Sequence, residues 1–267
     1  MVPVHREDLF AKDRYLAGSD ARRRAELDEA VGDPSARAIW AARGGYGCAR
    51  LLDGLAASLR TRPARWLIGF SDITALHCAW AQAGIASLHG ANVTTLGGWS
   101  VAARDELFAL LFSGGAAEHA GRAVAPAASA RGVLLGGNLT VLASLAGSGF
   151  IPSWRGAVVL LEDVGEKPYR LDRSLTQLRL AGAFAGVSGV AVGQLSDCEE
   201  PAKDGCGPAF SAREVVTSVL GELGVPLLDS VPVGHDASSR AVVLGADAVL
   251  DGHAGVLRLV GRAGHAA

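Results

Sequence analysis

Three polar residues stand where an apolar run stops: Ser71 after Trp66-Leu67-Ile68-Gly69-Phe70, Glu162 after Ala157-Val158-Val159-Leu160-Leu161, and His235 after Val231-Pro232-Val233-Gly234. Serine, carboxylate and imidazole are the parts of an acyl-transfer triad. A serine hydroxyl is a weak nucleophile at neutral pH and needs a base. An imidazole accepts that proton and returns it to the leaving group, and a carboxylate orients the ring and stabilises its charged form. The chain order Ser…Glu…His is that of the nucleophile-elbow hydrolases, although the GxSxG spacing is absent. The pattern after Ser71 is helical, so the positive end of a helix lies beside the hydroxyl. Each residue also has an ordinary reading. Ser71 suits a helix N-cap, and Glu162 suits a surface turn with Asp163. Asp72, Asp163 and Glu166 compete as carboxylates. His77, inside the expected Asp72–Gln82 helix, reads as a packing or surface histidine, whereas His89, ending a strand, is the stronger rival to His235.

A second element is the glycine loop Arg43-Gly44-Gly45-Tyr46-Gly47. It falls between a strand and a helix, where backbone N–H groups can cradle an anion. It has neither the Lys-Ser/Thr of a P-loop nor the GxGxxG spacing. Beside a catalytic serine its amides suit an oxyanion hole. Taken alone it is a tight turn.

The elements that must position these groups alternate. Helices are expected at Ala21–Ala30 behind Ser19 or Asp20, Cys48–Leu59, Asp72–Gln82, Ala102–Phe112, after Thr140 through Leu145, Leu171–Phe184 and Ser211–Leu223. Strands are expected at 36–42, 66–70, 85–88, 157–161 and 187–195, with short ones at 226–228, 242–244, 248–250 and 256–260. This alternation argues for an α/β fold with a parallel sheet. In such sheets sites lie outside the carboxyl ends of the strands. The stretch Ser113–Arg131 is rich in Ala, Gly and Ser and has little periodicity, so residues 115–131 are expected to link an N-terminal domain (1–114) to a C-terminal one (132–267).

Composition narrows the function classes. The chain has 267 residues, 49% hydrophobic and 19% charged, enough for a substantial core. A net charge of −2 offers no electrostatic footprint for nucleic acid. Cys48, Cys78, Cys198 and Cys206 form no close pair, and no HExxH is present, so neither metal nor redox chemistry is indicated. A reduced, cytoplasmic protein without a cofactor is the simplest expectation. No apolar stretch is long enough for a membrane span, and the N-terminus lacks an apolar signal core.

With these residues assembled, the chain resembles the LD-carboxypeptidase family of serine peptidases. The matching segments are Tyr15-Leu16-Ala17-Gly18-Ser19-Asp20 with Arg23 or Arg24; Ala42 to Gly47; Ile68 to Leu76; Leu88-His89-Gly90; Gly136-Gly137-Asn138-Leu139; Leu161 to Val164 with Tyr169 to Arg173; and Gly234-His235. They occur in the family's order. The resemblance implies Ser71 as nucleophile, Glu162 and His235 as its partners, and an oxyanion hole from the backbone N–H groups of Asp72 and Gly45. It implies two lobes: an N-terminal α/β part carrying the serine and a β-rich C-terminal part carrying the other two. It also implies a reaction, release of terminal D-alanine from murein tetrapeptides in peptidoglycan recycling, and a homodimer. The substrate's free carboxylate calls for a cationic pocket, for which Arg43 and Arg173 are candidates, each equally suited to a structural ion pair. The family pattern has a strand, a Pro-Ser-Gly-type turn and a helix ahead of the Tyr-Leu-Ala-Gly segment. Only 14 residues precede Tyr15 here, so the first βα unit is expected to be missing, through a misplaced start or a truncation. Two other functions stay open. One is hydrolysis of microcin-like acyl-sulfamoyl adenylates, with Trp99 or Trp154 as an adenine platform. The other is an inactive or ligand-binding remnant.

Overall fold

The computed structural model describes residues 2–113, 117–124, 128–199 and 210–260. The Ser19 hydroxyl accepts the Arg22 N–H and starts helix α1 (Asp20–Gly32), as expected of an N-cap serine. Strand β1 (Ala38–Trp40) leads into the glycine loop. The helix expected over Cys48–Leu59 is broken: a 3-10 turn covers Cys48–Leu51, Gly54 turns the chain at φ 66°, and helix α2 (Leu55–Arg60) starts there. Strand β2 (Trp66–Gly69), a 3-10 turn at Ser71–Ile73, helix α3 (Thr74–Gln82) and strand β3 (Ser87–His89) form one βαβ unit. Helices α4 (Val93–Leu96) and α5 (Val101–Ser113) follow.

The second half opens with strands β4 (Glu118–Ala120), β5 (Arg122–Ala123) and β6 (Ser129–Asn138). The Asn138 side chain caps helix α6 (Leu139–Ser144) by accepting the Val141 N–H. Strand β7 (Val158–Val164) is followed by helix α7 (Pro168–Leu180), with proline at its start, where no N–H is needed. Strand β8 (Gly189–Ser196) precedes helix α8 (Ala212–Gly221), which starts in a capping box between Ser211 and Glu214. Strands β9 (Leu227–Asp229), β10 (Val242–Leu244), β11 (Asp247–Asp251) and β12 (Val256–Leu259) end the described chain.

Two sheets result. One has the order β1-β2-β3-β10, with β1, β2 and β3 parallel and β10 antiparallel to β3. The other runs β4-β12-β11-β6-β7-β8-β9-β5, with a parallel centre of β6, β7, β8 and β9 and antiparallel flanks. The molecule is thus α/β, and the parallel strands aim their carboxyl ends at the residues after β2, β7 and β9.

The segment expected as a linker is not bare connection. Among its described residues, β4 pairs with β12 and β5 with β9, so it supplies both edges of the large sheet. Strands of two or three residues are too short to produce an alternation visible in sequence. Residues 115, 116 and 125–127 of that segment, and residues 200–209 (with Cys206) and 261–267 of the expected second domain, lie outside the described residues. The halves are also interlocked: β10, from the second half, completes the sheet of the first. Both apolar clusters draw on both halves. One joins Leu27, Leu55 and Trp80 to Leu139, Leu171 and Val216; the other joins Leu88 and Leu107 to Leu160, Val242 and Leu257.

Candidate active site

Ser71 follows β2 directly and adopts φ 65°, a left-handed conformation that residues with a Cβ rarely take. Such strain is the backbone signature of a nucleophile elbow, here without the GxSxG spacing. The elbow is held from behind: the Phe70 N–H donates to Asn92 Oδ1 at 3.3 Å, and Asn92 is buried. The glycine loop lies against it. A Cβ on Gly44 would sit 3.0 Å from Ser71 Cβ and 3.2 Å from Ser71 Oγ, so a side chain there would crowd the serine. The Gly45 and Asp72 N–H groups have no acceptor among the described residues.

Glu162 lies inside β7 rather than after it, because the strand runs on to Val164. The β7–β8 register shifts between Leu161 and Asp163, so Glu162 and Asp163 are both buried although adjacent. A bulge of this kind re-aims side chains. Asp163 turns to the β6–α6 junction, accepting from Asn138 Nδ2, the Thr140 N–H and hydroxyl, and the Val164 N–H. Glu162 Oε2 accepts from His235 Nδ1 at 2.7 Å, and its Oε1 is buried without a partner. Burial raises the Glu162 carboxyl above its ordinary range, and the His235 hydrogen bond works against that shift.

His235 is carried by the segment after β9, which runs beside β8: the Val231 N–H donates to Val192 O and the Gln194 N–H to Val233 O. Gln194 Oε1 accepts the Asp236 N–H and the Ser239 hydroxyl, which fixes the turn around the histidine. The imidazole packs on the Phe70 ring, centroids 4.5 Å apart. In a neutral imidazole, a carboxylate at Nδ1 favours the hydrogen on that nitrogen and leaves Nε2 as the acceptor. The structure thus joins Glu162 to His235 and seats His235 against the residue before Ser71. No hydrogen bond links Ser71 Oγ to His235 among the described residues; such contacts are often long before substrate binds.

The rival histidines are elsewhere. His77 is buried, with Nε2 2.9 Å from Gly69 O and Nδ1 2.8 Å from Ser87 Oγ, so it braces β2 against β3. Burial pushes its pKa down to about 4. His89 is buried with neither ring nitrogen hydrogen-bonded, and no carboxylate reaches it. Of the two cation candidates, Arg43 donates to Gly44 O at 3.2 Å and stays exposed beside the loop. Arg173 is exposed on α7, 5.3 Å over the Tyr169 ring, and has no contact with Ser71, Glu162 or His235. Trp99 and Trp154 are buried in the core, Trp154 against Phe184, so neither offers a face to an adenine. A cavity of about 500 Å³, lined by Gln82, Ile85, Val133, Ile151 and Arg155 among others, includes none of Ser71, Glu162 and His235. No group of metal-ligating side chains occurs among the described residues.

Reading by residue type missed Asn92, Asn138, Asp163 and Gln194 as supports of this cluster. Gln194 carried the same signal as Ser71, a polar residue ending an apolar run. Asn138 lies in the Gly136–Leu139 segment that carries the family resemblance.

Residues 1–90 match the LD-carboxypeptidase N-terminal domain and residues 131–250 the LD-carboxypeptidase C-terminal domain. This chain belongs to the LD-carboxypeptidase family. Among its relatives, the murein tetrapeptide carboxypeptidase of Pseudomonas aeruginosa is 36% identical over 91% of this chain and 81% of its own. The crystal structure of muramoyltetrapeptide carboxypeptidase from Oxalobacter formigenes superposes with a TM-score of 0.81 at 26% identity, covering 93% of this chain and 86% of that one. The microcin C7 self-immunity protein MccF shares the fold, with a TM-score of 0.78 at 22% identity over 96% of this chain and 85% of its own. Membership of the LD-carboxypeptidase family supports a carboxypeptidase-type hydrolase of the serine class. No described helix is long and apolar enough to cross a membrane.

Proposed function

We propose that this LD-carboxypeptidase removes the terminal D-alanine from murein tetrapeptides through an acyl-enzyme, with Ser71, Glu162 and His235 as its triad. The observation that carries the reading is the Glu162–His235 hydrogen bond, seated on the residue that precedes a strained serine. Ser71 Oγ attacks the carbonyl of the scissile amide while His235 Nε2 takes its proton. The tetrahedral oxyanion is held by the N–H groups of Asp72 and Gly45, both without other acceptors. Collapse expels the D-alanine amine, which receives the proton from His235, and Ser71 remains acylated. Water, deprotonated by His235, then attacks the ester; His235 returns that proton to Ser71 Oγ as the acyl–oxygen bond breaks, and the tripeptide leaves. Arg43 is positioned beside the loop to meet the substrate's terminal carboxylate; Arg173 is a weaker candidate, since it is spent on Tyr169.

Free thiols at Cys48, Cys78 and Cys198 suit a reducing, cytoplasmic setting. The acyl-sulfamoyl adenylate reading gains no aromatic platform from Trp99 or Trp154. The test is incubation with a murein tetrapeptide ending in D-alanine, followed by mass spectrometry. Wild type should release one alanine and Ser71→Ala should not, with at least a 1,000-fold loss by the order of triad deletions, roughly 10⁴ or more. Equal turnover by the variant removes Ser71 from the mechanism.

A further inference from the structure

The glycine loop cannot hold its own shape. Gly45 and Gly47 take φ values of 124° and 121°, conformations open to glycine but not enforced by it. Its entry is tied through Ala41 O and Ala42 O, which accept the Val93 and Thr94 N–H groups. Its exit is tied by two side chains. The Asp72 carboxylate accepts the Cys48 N–H at 3.0 Å through Oδ2. Arg23 donates to Gly47 O at 3.0 Å and is itself held by Asp20. Asp72 is buried, and it is the residue immediately after Ser71. One residue therefore belongs to the elbow through its backbone and grips the loop through its side chain. The Cys48 thiol beside the same carboxylate is pushed well above its ordinary value, by burial first and by Asp72 next, so it stays protonated and does not compete for substrate.

We propose that the Asp72 side chain is a positioning residue: through the Cys48 N–H it locks the Gly44–Gly47 loop to the nucleophile elbow, so that the Gly45 N–H and the Asp72 N–H face one oxyanion. The proposal rests on Ser71 being the nucleophile. Its physical content is that the two oxyanion donors come from different segments, and misplacing one by about 1 Å is enough to lose roughly 100-fold in rate. Ground-state binding does not depend on that alignment.

The experiment compares Asp72→Asn, which keeps an acceptor for the Cys48 N–H, with Asp72→Ala and Asp72→Leu, which do not. Turnover is measured on the tetrapeptide, and thermal unfolding on each variant. Substrate affinity is measured separately in a Ser71→Ala background. The expected result is a kcat lowered about 30- to 100-fold in the variants without an acceptor, KM and substrate affinity within threefold of wild type, and recovery of kcat to within about fivefold in Asp72→Asn. Unchanged kcat in Asp72→Ala or Asp72→Leu, or a loss carried by KM alone, overturns the proposal. An Asp72→Asn variant as slow as Asp72→Ala also overturns it, because charge rather than the hydrogen bond would then be acting. Failure of both acceptor-less variants to fold overturns it too, since the carboxylate would then be a folding determinant. Retained turnover in Ser71→Ala instead removes the nucleophile reading on which the proposal stands.

Discussion

Burial holds the Glu162 carboxyl above the usual carboxylate range, while its bond to His235 pulls in the other direction. Replacing it by glutamine removes a buried charge but keeps the shape, so stability and activity should separate. Glu162→Gln is expected to unfold at or above the wild-type temperature while kcat falls about 1,000-fold or more, as when a triad carboxylate loses its charge. Parallel losses of stability and rate would contradict this. His77 gives a prediction for pH. Its folded pKa of about 4 lies below the ordinary 6.5 because it is fully buried. The unfolded chain therefore takes up the proton first as pH falls. The stability due to neutral His77 is complete above pH 6.5 and is lost as pH falls from 6.5 through 4, by about 3 kcal/mol at 1.36 kcal/mol per pH unit. His89, lowered by burial, acts in the same sense, and Glu162, raised, acts against both. Asp8 and Asp20, each held at about 2 by arginine partners, act only below the ordinary carboxylate value of 3.8. Urea unfolding at pH 7.5 and 4.5 should show a smaller difference for His77→Gln than for wild type; equal differences would place the dependence elsewhere.

At the scale of elements, close approach decides more than propensity does. Gly44 has no positive φ, so alanine is compatible with its backbone, yet the new Cβ would meet Ser71 at 3.0 Å. Gly44→Ala is expected to lower kcat by about 10- to 100-fold through displacement of the elbow, with a change in stability no larger than about 1 kcal/mol. Steady-state kinetics beside thermal unfolding checks both halves of that statement. Two helix starts were legible because their caps are local: Ser19 and Ser211 each accept a nearby backbone N–H. The bulge in β7 was not legible. Its cause is pairing with β8, some 30 residues away, and it turns an apparent strand end into a buried Glu162–Asp163 pair facing two different networks.

At the scale of the whole molecule, the two halves share their cores, and the second half adds strand β10 to the sheet of the first. A join between them is buried as well: the Asn138 N–H donates to Thr74 Oγ1 at 2.9 Å. The chain is therefore expected to unfold in one cooperative transition by calorimetry and by denaturant, with coincident curves from far-ultraviolet circular dichroism and tryptophan fluorescence. Two separated transitions would mean that the halves are independent domains. The same interlocking explains why a composition shift at 115–131 marked a boundary in sequence and edge strands in space.

Residue type and order alone determined the α/β class and the strand end that presents Ser71, and through family resemblance they singled out Ser71, Glu162 and His235 as candidates. Those features are local, or are carried by motifs of a few residues. Tertiary structure alone showed which of His235 and His89 has a carboxylate partner, because both end apolar runs and only the placing of the segment after β9 beside β8 brings Glu162 to His235. It also decided that Ser71 is strained rather than an ordinary cap, and that the next residue's side chain holds the glycine loop. Distance between segments is not encoded in the order of residues; it follows from which apolar faces bury one another.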